Sequence, residues 1–293
     1  MITTPPSESI AAETTMGAVA LLVRDMERSR SFYEQALGLP ARELGDGGLG
    51  FGPPSGDPLV ILHADASALA LDRRATGLFH LAIVVPSRLE LASALARLAQ
   101  AAWPLDGASD HLVSEALYLS DPDGNGIEIY RDRPRAEWRY DAPGRLAMAT
   151  LPLDLRGLAG ELRHIDSVGP EVPAGTRIGH VHLQVSDLAA TEAFYHGVLG
   201  FDVMVRGYPG ALFVSAGGYH HHLGLNTWNS AGSGPPRPGS LGLRALHLVL
   251  PDAGEQARLL DSVCAAGLEA TTEPSGAPAV RDPSGNLVVL RAR

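Results

Sequence analysis

The sequence has one cysteine, a polar first segment and no long hydrophobic segment. Cys264 stands alone, so an intramolecular disulfide is excluded, and we expect a protein of the reducing cytoplasm. The apolar helical pattern around it, LLDSVCAAGL, predicts a buried thiol. The polar beginning, MITTPPSESIAAETT, lacks the regions of a signal peptide, and no apolar segment reaches the length of a membrane span.

Positive charge is also scarce. The 23 basic residues, all of them arginine, are outnumbered by 33 Asp and Glu residues, the formal net charge is -10, and no basic block occurs. Nucleic acid is therefore not an expected partner. With 45% hydrophobic residues among 293, the chain is long enough to form about two globular domains. If the protein is an enzyme, we expect its substrate to be a compound that reaches the cytoplasm.

Two segments, one near the start and one past the middle of the chain, repeat each other. Residues 17–39 (GAVALLVRDMERSRSFYEQALGL) and 179–201 (GHVHLQVSDLAATEAFYHGVLGF) share Gly, Val, Leu, Val, Asp, Phe-Tyr and Leu-Gly at the same offsets. The alternation of residues predicts a strand in each segment. A helix is predicted to follow, starting near Asp25 or Asp187, because aspartate is a favoured N-cap residue and glycine a favoured stop.

A second pair of repeats has a different start. Residues 77–103 and 242–268 each contain an apolar strand, a proline and an amphipathic helical pattern. Both continue to a turn and a strand, SDPDGNGIEIYRD at 120–132 and RDPSGNLVVLRAR at 281–293, where Asp-Pro and Gly-Asn form the turn. The chain therefore contains four related units, each predicted to have the order βαβββ.

The repeats predict an α+β fold made of two modules. The predicted boundaries are a flexible tail at 1–14, a first module at 15–132 with units 15–65 and 76–132, a connector at 133–175, and a second module at 176–293 with units 176–228 and 240–293. Proline and glycine at both ends mark the connector, and a short helix is predicted within it at Asp154–Leu162.

Four such units, with FYxxxLG helices and the end strand DPDGNGIEI, resemble the vicinal oxygen chelate superfamily of glyoxalases, bleomycin resistance proteins and extradiol dioxygenases. Over nearly its whole length the chain is similar to two-module ring-cleaving dioxygenases of the catechol 2,3-dioxygenase type. The segments DHLVSEALYLSDPDGNGIEIYRDRP and GGYHHHLGLNTW carry this closer resemblance. It implies two cupped mixed sheets, each built from two units, with metal ligands on the first and last strand of a unit.

Corresponding positions in the four units differ sharply in their chemistry. The first-strand position holds Ala18, His80, His180 and Ala245, and the last-strand position, four residues after the turn glycine, holds Val60, Glu128, His222 and Val289. Units one and four therefore offer no ligand. Pairing in chain order would give each cup two ligands, whereas pairing of units two and three would give one cup His80, Glu128 and His180. We expect the second arrangement, with His222 at the lip of that cup.

Two histidines and one carboxylate form the facial triad of non-haem Fe(II) oxygenases, so Fe(II) is the expected metal and Mn(II) the alternative. Glu128 lies in the apolar strand GIEIY, where a carboxylate is costly unless it is paired or metal-bound. The resemblance implies that His111 and Tyr118 line the substrate site and that His222 is the acid-base residue. Strand alternation places His220 on the face of His222 and predicts that His221 turns away.

The expected function is that of a cytoplasmic extradiol dioxygenase, which opens a catechol or hydroquinone-type ring with O2 in the breakdown of aromatic compounds. The resemblance is compatible with a homodimer and leaves the oligomeric state open. Two alternatives remain open. A glyoxalase-like isomerase with Zn, Ni or Mn would use His222 as a fourth ligand and leave His111 and Tyr118 without a role. A metal-free binding protein of the bleomycin-resistance kind would not need the three ligands.

Overall fold

The computed structural model describes residues 8–140, 146–273 and 275–293. Its strands are β1 (Thr15–Val23), β2 (Ala41–Glu43), β3 (Leu49–Phe51), β4 (Val60–Ala64), β5 (Gly77–Val84), β6 (Gly107–Asp110), β7 (Ser114–Ser120), β8 (Gly126–Asp132), β9 (Leu151–Pro152), β10 (Arg177–Gln184), β11 (Asp202–Val205), β12 (Ala211–Ser215), β13 (Leu223–Asn226), β14 (Gly242–Leu250), β15 (Ala270–Thr272), β16 (Pro278–Arg281) and β17 (Leu287–Ala292). Its α-helices are α1 (Met26–Ser31), α2 (Arg88–Gln100), α3 (Leu155–Ala159), α4 (Leu188–Glu192) and α5 (Ala253–Ala265).

The strands form two mixed sheets. The order is β15-β16-β17-β14-β1-β4-β3-β2 in the eight-stranded sheet and β11-β12-β13-β10-β5-β8-β7-β6-β9 in the nine-stranded sheet. The eight-stranded sheet thus contains the strands of units one and four, and the nine-stranded sheet contains those of units two and three. The predicted α+β fold and the predicted pairing of units two and three are confirmed.

The helices of units one and three start and stop as the repeat predicts. The side chain of Asp25 accepts a hydrogen bond from the Arg28 N–H, and Asp187 caps α4 in the same way. Both helices continue into a short π-helical turn before a glycine with positive φ, +75° at Gly38 and +83° at Gly200. Local capping chemistry therefore sets both limits.

Residues 20–68, 80–140 and 146–179 form one compact unit, in which a buried aspartate closes the turn before β8. One oxygen of Asp121 accepts hydrogen bonds from the backbone N–H groups of Asp123 and Asn125. The other oxygen accepts from the Asn125 amide at 2.8 Å and from the Tyr33 hydroxyl at 3.2 Å. Because Tyr33 belongs to the FYxxxLG segment of unit one, this carboxylate ties unit one to the turn of unit two.

Residues 8–19, 69–79, 180–273 and 275–293 form the other compact unit, which contains the same arrangement again. Asp282 accepts from the backbone N–H groups of Ser284 and Asn286, from the Asn286 amide at 2.9 Å and from the Tyr195 hydroxyl at 3.1 Å. Tyr195 belongs to the FYxxxLG segment of unit three. In each of the two compact units, therefore, the tyrosine of an FYxxxLG segment contacts the aspartate of an Asp-Pro turn.

The N-terminal segment and the cysteine differ from the predictions. Residues 1–7 of the predicted flexible tail lie outside the described residues, but Ile10 and Thr14 are buried, and the Ile10 N–H donates to Gly200 O at 2.9 Å. Cys264 was predicted to be buried and is exposed. Helix α5 buries the face that carries Leu259 and Val263, and Cys264 lies one residue beyond that face.

The connector is integrated into the first of these units, apart from residues 141–145, which lie outside the described residues. The predicted short helix is present as α3, capped by Asp154, followed by a 3-10 turn at Gly160–Leu162. Strand β9 extends the sheet beside β6, and α3 packs against α2. In the described ranges, no helix has both the length and the apolar character needed to cross a bilayer.

Candidate metal centre

Two predicted ligands lie side by side on the neighbouring parallel strands β5 and β8. The register pairs Ala82 with Glu128, so His80, two residues before Ala82, projects from the same face. His80 is 7% exposed and Glu128 is 2% exposed. Their closest atoms, His80 Nε2 and Glu128 Oε2, are 3.0 Å apart. Ligands that lie about 2.1 Å from one metal ion and at right angles to each other are about 3 Å apart, so this distance fits two adjacent ligands.

The third predicted ligand, His180, lies on β10 and is 2% exposed. Gly179 precedes it, and an added Cβ there would overlap the buried Tyr130 hydroxyl, so only glycine allows this close approach. One ligand atom from each of His80, Glu128 and His180 lies within 4.8 Å of the others. Within the described ranges, no other group of three histidine, cysteine or acidic side chains meets this criterion.

The donor set of this group fits a divalent transition metal. Two imidazoles and one carboxylate suit Fe(II), Mn(II) and related ions and leave coordination positions open. A carboxylate as deeply buried as that of Glu128 is costly without a compensating cation. The His–Glu–His group therefore combines the ligand types, the spacing and the burial of a metal centre.

Strand register corrects the sequence alignment of unit three. The pair β10 and β13 places His182 opposite Gly224, just as β5 and β8 place Ala82 opposite Glu128. The structural counterpart of Glu128 is therefore Gly224, and the assignment of His222 to that position was wrong. Counting from the turn glycine fails because β13 begins only at Leu223, after several residues outside any strand.

The three consecutive histidines also depart from the predicted alternation because they precede β13. The His221 ring lies 4.1 Å from the His180 ring, and the His220 ring lies 5.9 Å from it, as centroid distances. The prediction that His221 turns away was wrong. The Nδ1 atoms of His220 and His221 are 2.8 Å apart, so one of them donates a proton to the other. All three histidines are buried.

The hydrogen bonds of His222 determine which of its ring nitrogens carries the proton. Its Nδ1 accepts a hydrogen bond from the Ala216 N–H at 3.1 Å and lies 3.0 Å from the Ser215 hydroxyl. A backbone N–H can only donate, so Nδ1 of His222 carries a lone pair. The neutral ring then bears its proton on Nε2 and offers a hydrogen-bond donor there.

Tyr118 and His111 lie beside the His80–Glu128 pair. Tyr118 is the direct partner of Glu128 in the antiparallel pair β7 and β8, and its ring centroid is 5.7 Å from that of His80. His111 Nε2 is 2.6 Å from the Tyr118 hydroxyl oxygen. The sequence analysis assigned four residues of this region to the site, and the structure brings them together: His80, His111, Tyr118 and Glu128.

An aromatic cluster that the sequence analysis did not assign lies near His180. The ring of His182 is 5.1 Å from Phe79, 5.4 Å from Trp228 and 5.8 Å from Phe213, and Phe213 is 5.0 Å from His221. Trp228 is 44% exposed, whereas Phe213 is buried. In the sequence, this cluster was indicated only by the position of His182, two residues after His180 on the same strand face.

The chain combines repeated βαβββ units with a buried His–Glu–His group. A profile of the Glyoxalase/Bleomycin resistance protein/Dioxygenase superfamily matches residues 15–129 and 177–290, and the chain belongs to this superfamily. A curated relative, the Catechol-2,3-dioxygenase of Bacillus subtilis (strain 168), is 44% identical over 279 residues, which cover 94% of this chain and 96% of the relative. The predicted family membership is confirmed.

Solved structures share the fold at low sequence identity. A protein from Bacillus subtilis subsp. subtilis str. 168 has a TM-score of 0.65 at 14% identity, covering 98% of this chain and 86% of that one. Glyoxalase I from Zea mays has a TM-score of 0.55 at 17% identity, covering 95% and 92%. At these identities the likeness concerns the fold alone.

Proposed function

We propose that this protein is an extradiol ring-cleaving dioxygenase, which inserts both atoms of O2 into a catechol or a hydroquinone-type aromatic diol. The observation that carries the proposal is the buried group of His80, Glu128 and His180, whose ligand atoms lie within 4.8 Å of one another. The position of Tyr118 and His111 beside it supports a diol substrate. The relative named Catechol-2,3-dioxygenase, at 44% identity, supports the reaction type.

His80, Glu128 and His180 would hold the metal ion, for which we propose Fe(II), with Mn(II) as the alternative. When bound, the ion supplies a Lewis acid that favours the anionic form of a diol, together with open positions for the diol and for O2. The chain contributes one negative charge from Glu128 and two neutral imidazoles. The burial of all three side chains excludes bulk water from the reacting groups.

The other polar side chains would handle the substrate hydroxyls and the protons. Tyr118 is positioned to hydrogen-bond a hydroxyl held near Glu128, and His111 contacts the Tyr118 hydroxyl from behind. We propose that His222 exchanges protons with the reacting oxygen atoms through Nε2, the nitrogen not engaged by Ala216. The His220–His221 pair is the second candidate for this role, because its two Nδ1 atoms share a proton and His221 lies beside His180.

Oxygen consumption tests the proposed function. The protein is loaded with Fe(II) without air and then given catechols and hydroquinones in air-saturated buffer. We expect diol-dependent uptake of one O2 per diol and a yellow ring-opened product. Stoichiometric metal without uptake across the panel would favour a glyoxalase-like isomerase. Failure to bind any divalent metal would leave a metal-free binding protein.

The role of His222 is tested by two substitutions. His222→Ala is expected to retain the metal ion and to lower kcat by about 10²–10⁴-fold, the usual contribution of an acid-base group. His222→Gln keeps an N–H donor near the position of Nε2 but cannot exchange a proton there, so we expect it to be as slow as His222→Ala. Recovery of kcat in the Gln variant would show that His222 serves only as a donor. Loss of metal from His222→Ala would make it a ligand.

A further inference from the structure

The segment that follows the undescribed residues 141–145 lies against the site residues of the same compact unit. We call residues 146–153 the strap. Its strand β9 pairs with β6 at the sheet edge, with Leu151 opposite Asp110 and Pro152 opposite Ser109. His111 comes directly after Asp110, so the strap also runs alongside His111, whose ring contacts the Tyr118 hydroxyl. The sequence predicted a connector here and assigned it no part in the site.

One carbonyl of the strap contacts the histidine ring directly. Ala149 O lies 2.7 Å from His111 Nδ1. A backbone carbonyl can only accept a hydrogen bond, so Nδ1 of His111 must carry a proton. In the neutral ring the second nitrogen, Nε2, then has a lone pair. That nitrogen lies 2.6 Å from the Tyr118 hydroxyl oxygen, so the tyrosine donates its proton to His111.

The loop that carries His111 is held in a costly conformation. Leu112 has a φ of 69°, in the left-handed region, where a residue with a branched side chain pays roughly 1–2 kcal/mol. The Asp110 carboxylate accepts a hydrogen bond from the Leu112 N–H at 2.8 Å and another from Arg133 at 2.7 Å. Backbone strain of this kind is concentrated at functional positions, where the surrounding structure maintains it.

The connector beyond the strap is fastened by an arginine. Arg88 on α2 donates to Glu161 at 2.6 Å and to Glu115 at 2.9 Å, and Glu115 lies on β7, three residues before Tyr118. Arg131 donates to the same Glu115 oxygen at 2.8 Å. The connector is thus attached at two points. Glu161 is linked through Arg88 to β7, the strand that carries Tyr118, and Ala149 contacts His111.

We propose that the strap is a positioning element of the site: the Ala149 carbonyl selects the neutral Nδ1–H tautomer of His111, which orients the Tyr118 hydroxyl. With its own proton directed at His111, the phenol oxygen of Tyr118 presents lone pairs and accepts hydrogen bonds. This part of the inference rests on the proposed function: the substrate group that meets Tyr118 is a hydroxyl, which can donate, and an ether or carbonyl oxygen at that position is rejected. The tautomer itself does not depend on the reaction.

The tautomer is measured by nitrogen NMR on the full chain labelled with 15N-histidine, at pH 8.5, without added metal and with diamagnetic Zn(II). The signals of His111 are identified by their loss in His111→Asn. We expect a proton-bearing Nδ1 and a proton-free Nε2. A proton on Nε2, or an average of the two tautomers, would overturn the proposal. Because no turnover is involved, this result is independent of whether the protein consumes oxygen.

The contribution of the strap is isolated by a pair of insertions. A glycine inserted after Ala149 displaces the carbonyl, whereas a glycine inserted after the exposed Asp166 lengthens the connector elsewhere. We expect the first insertion to abolish the single tautomer and to lower kcat/KM by about 10–100-fold, as for other residues that orient a site. The second insertion is expected to change neither. A retained Nδ1–H tautomer in the first variant, with a native circular dichroism spectrum, would show that the strap does not set it.

The two amide substitutions of His111 supply a separate check. Asparagine keeps a donor toward Ala149 and loses the acceptor toward Tyr118, whereas glutamine reaches Tyr118 and loses the contact with Ala149. The inference requires both contacts, so we expect each variant to lose about tenfold or more in kcat/KM while retaining its metal. Full activity in His111→Asn would show that the orientation of Tyr118 does not depend on His111.

Discussion

Replacing Glu128 by glutamine is expected to remove the bound metal ion and to lower kcat/KM by roughly 10³-fold or more. The substitution preserves the volume of the side chain and deletes the single negative charge among the three proposed ligands. A metal ion supplies several kcal/mol of charge stabilisation, and each 1.4 kcal/mol corresponds to about a factor of ten in rate. Metal content by elemental analysis and oxygen uptake, measured on the same preparation, check the two parts of this prediction.

Equivalent losses are expected for His80→Asn and His180→Asn, because each removes one of the three proposed protein ligands. His247→Asn is the matched control. His247 is also a buried strand histidine, but burial, together with the charge of Arg291, lowers its pKa to about 4, and it lies in the eight-stranded sheet. The His247→Asn variant is therefore expected to retain both the metal ion and the activity. Full metal occupancy in any of the three ligand variants would remove that residue from the ligand set.

Replacing Asp121 by alanine is expected to destabilise the protein by about 3–5 kcal/mol. Four donors converge on this carboxylate, two from the backbone and one each from Asn125 and Tyr33. The alanine variant leaves them without an acceptor in a buried site. Asp282→Ala should have a similar effect, because its carboxylate accepts the same four kinds of hydrogen bond. Urea denaturation of both variants checks this, with the exposed Asp166→Ala as the control, expected to stay within about 0.5 kcal/mol.

The same carboxylates make a contribution to stability that depends on pH. Burial raises the pKa of both Asp121 and Asp282, although the hydrogen bonds from Asn125 and Asn286 oppose the shift. A raised pKa means that the folded state holds the proton more tightly than the unfolded state. Their contribution is therefore greatest below the ordinary aspartate pKa and decreases as pH rises through the window up to the folded pKa. The free energy of unfolding is measured against pH for the parent and for Asp121→Ala. If the variant keeps the full pH dependence of the parent in this window, Asp121 does not have the raised pKa assigned to it.

Much of the candidate site was predictable because its ligands occur at matched positions of repeated units. His80, His180 and Glu128 stand where units one and four carry only alanine or valine, and a buried carboxylate needs a cation. The pairing of units two and three followed from the same chemistry, since that pairing alone collects three ligands. His222 was misaligned, because β13 begins later after its turn than β8 does and Gly224 occupies the position of Glu128.

The amino-acid sequence by itself determined the four units, the limits of their helices and the residue types available for a metal, because capping, periodicity and turn chemistry are local. Tertiary structure alone decided the strand register of unit three, the direction of the His221 ring and the approach of the Ala149 carbonyl to His111. These features depend on where irregular segments meet strands that are distant in the chain. Such encounters leave no periodic signal, and only the folded backbone specifies them.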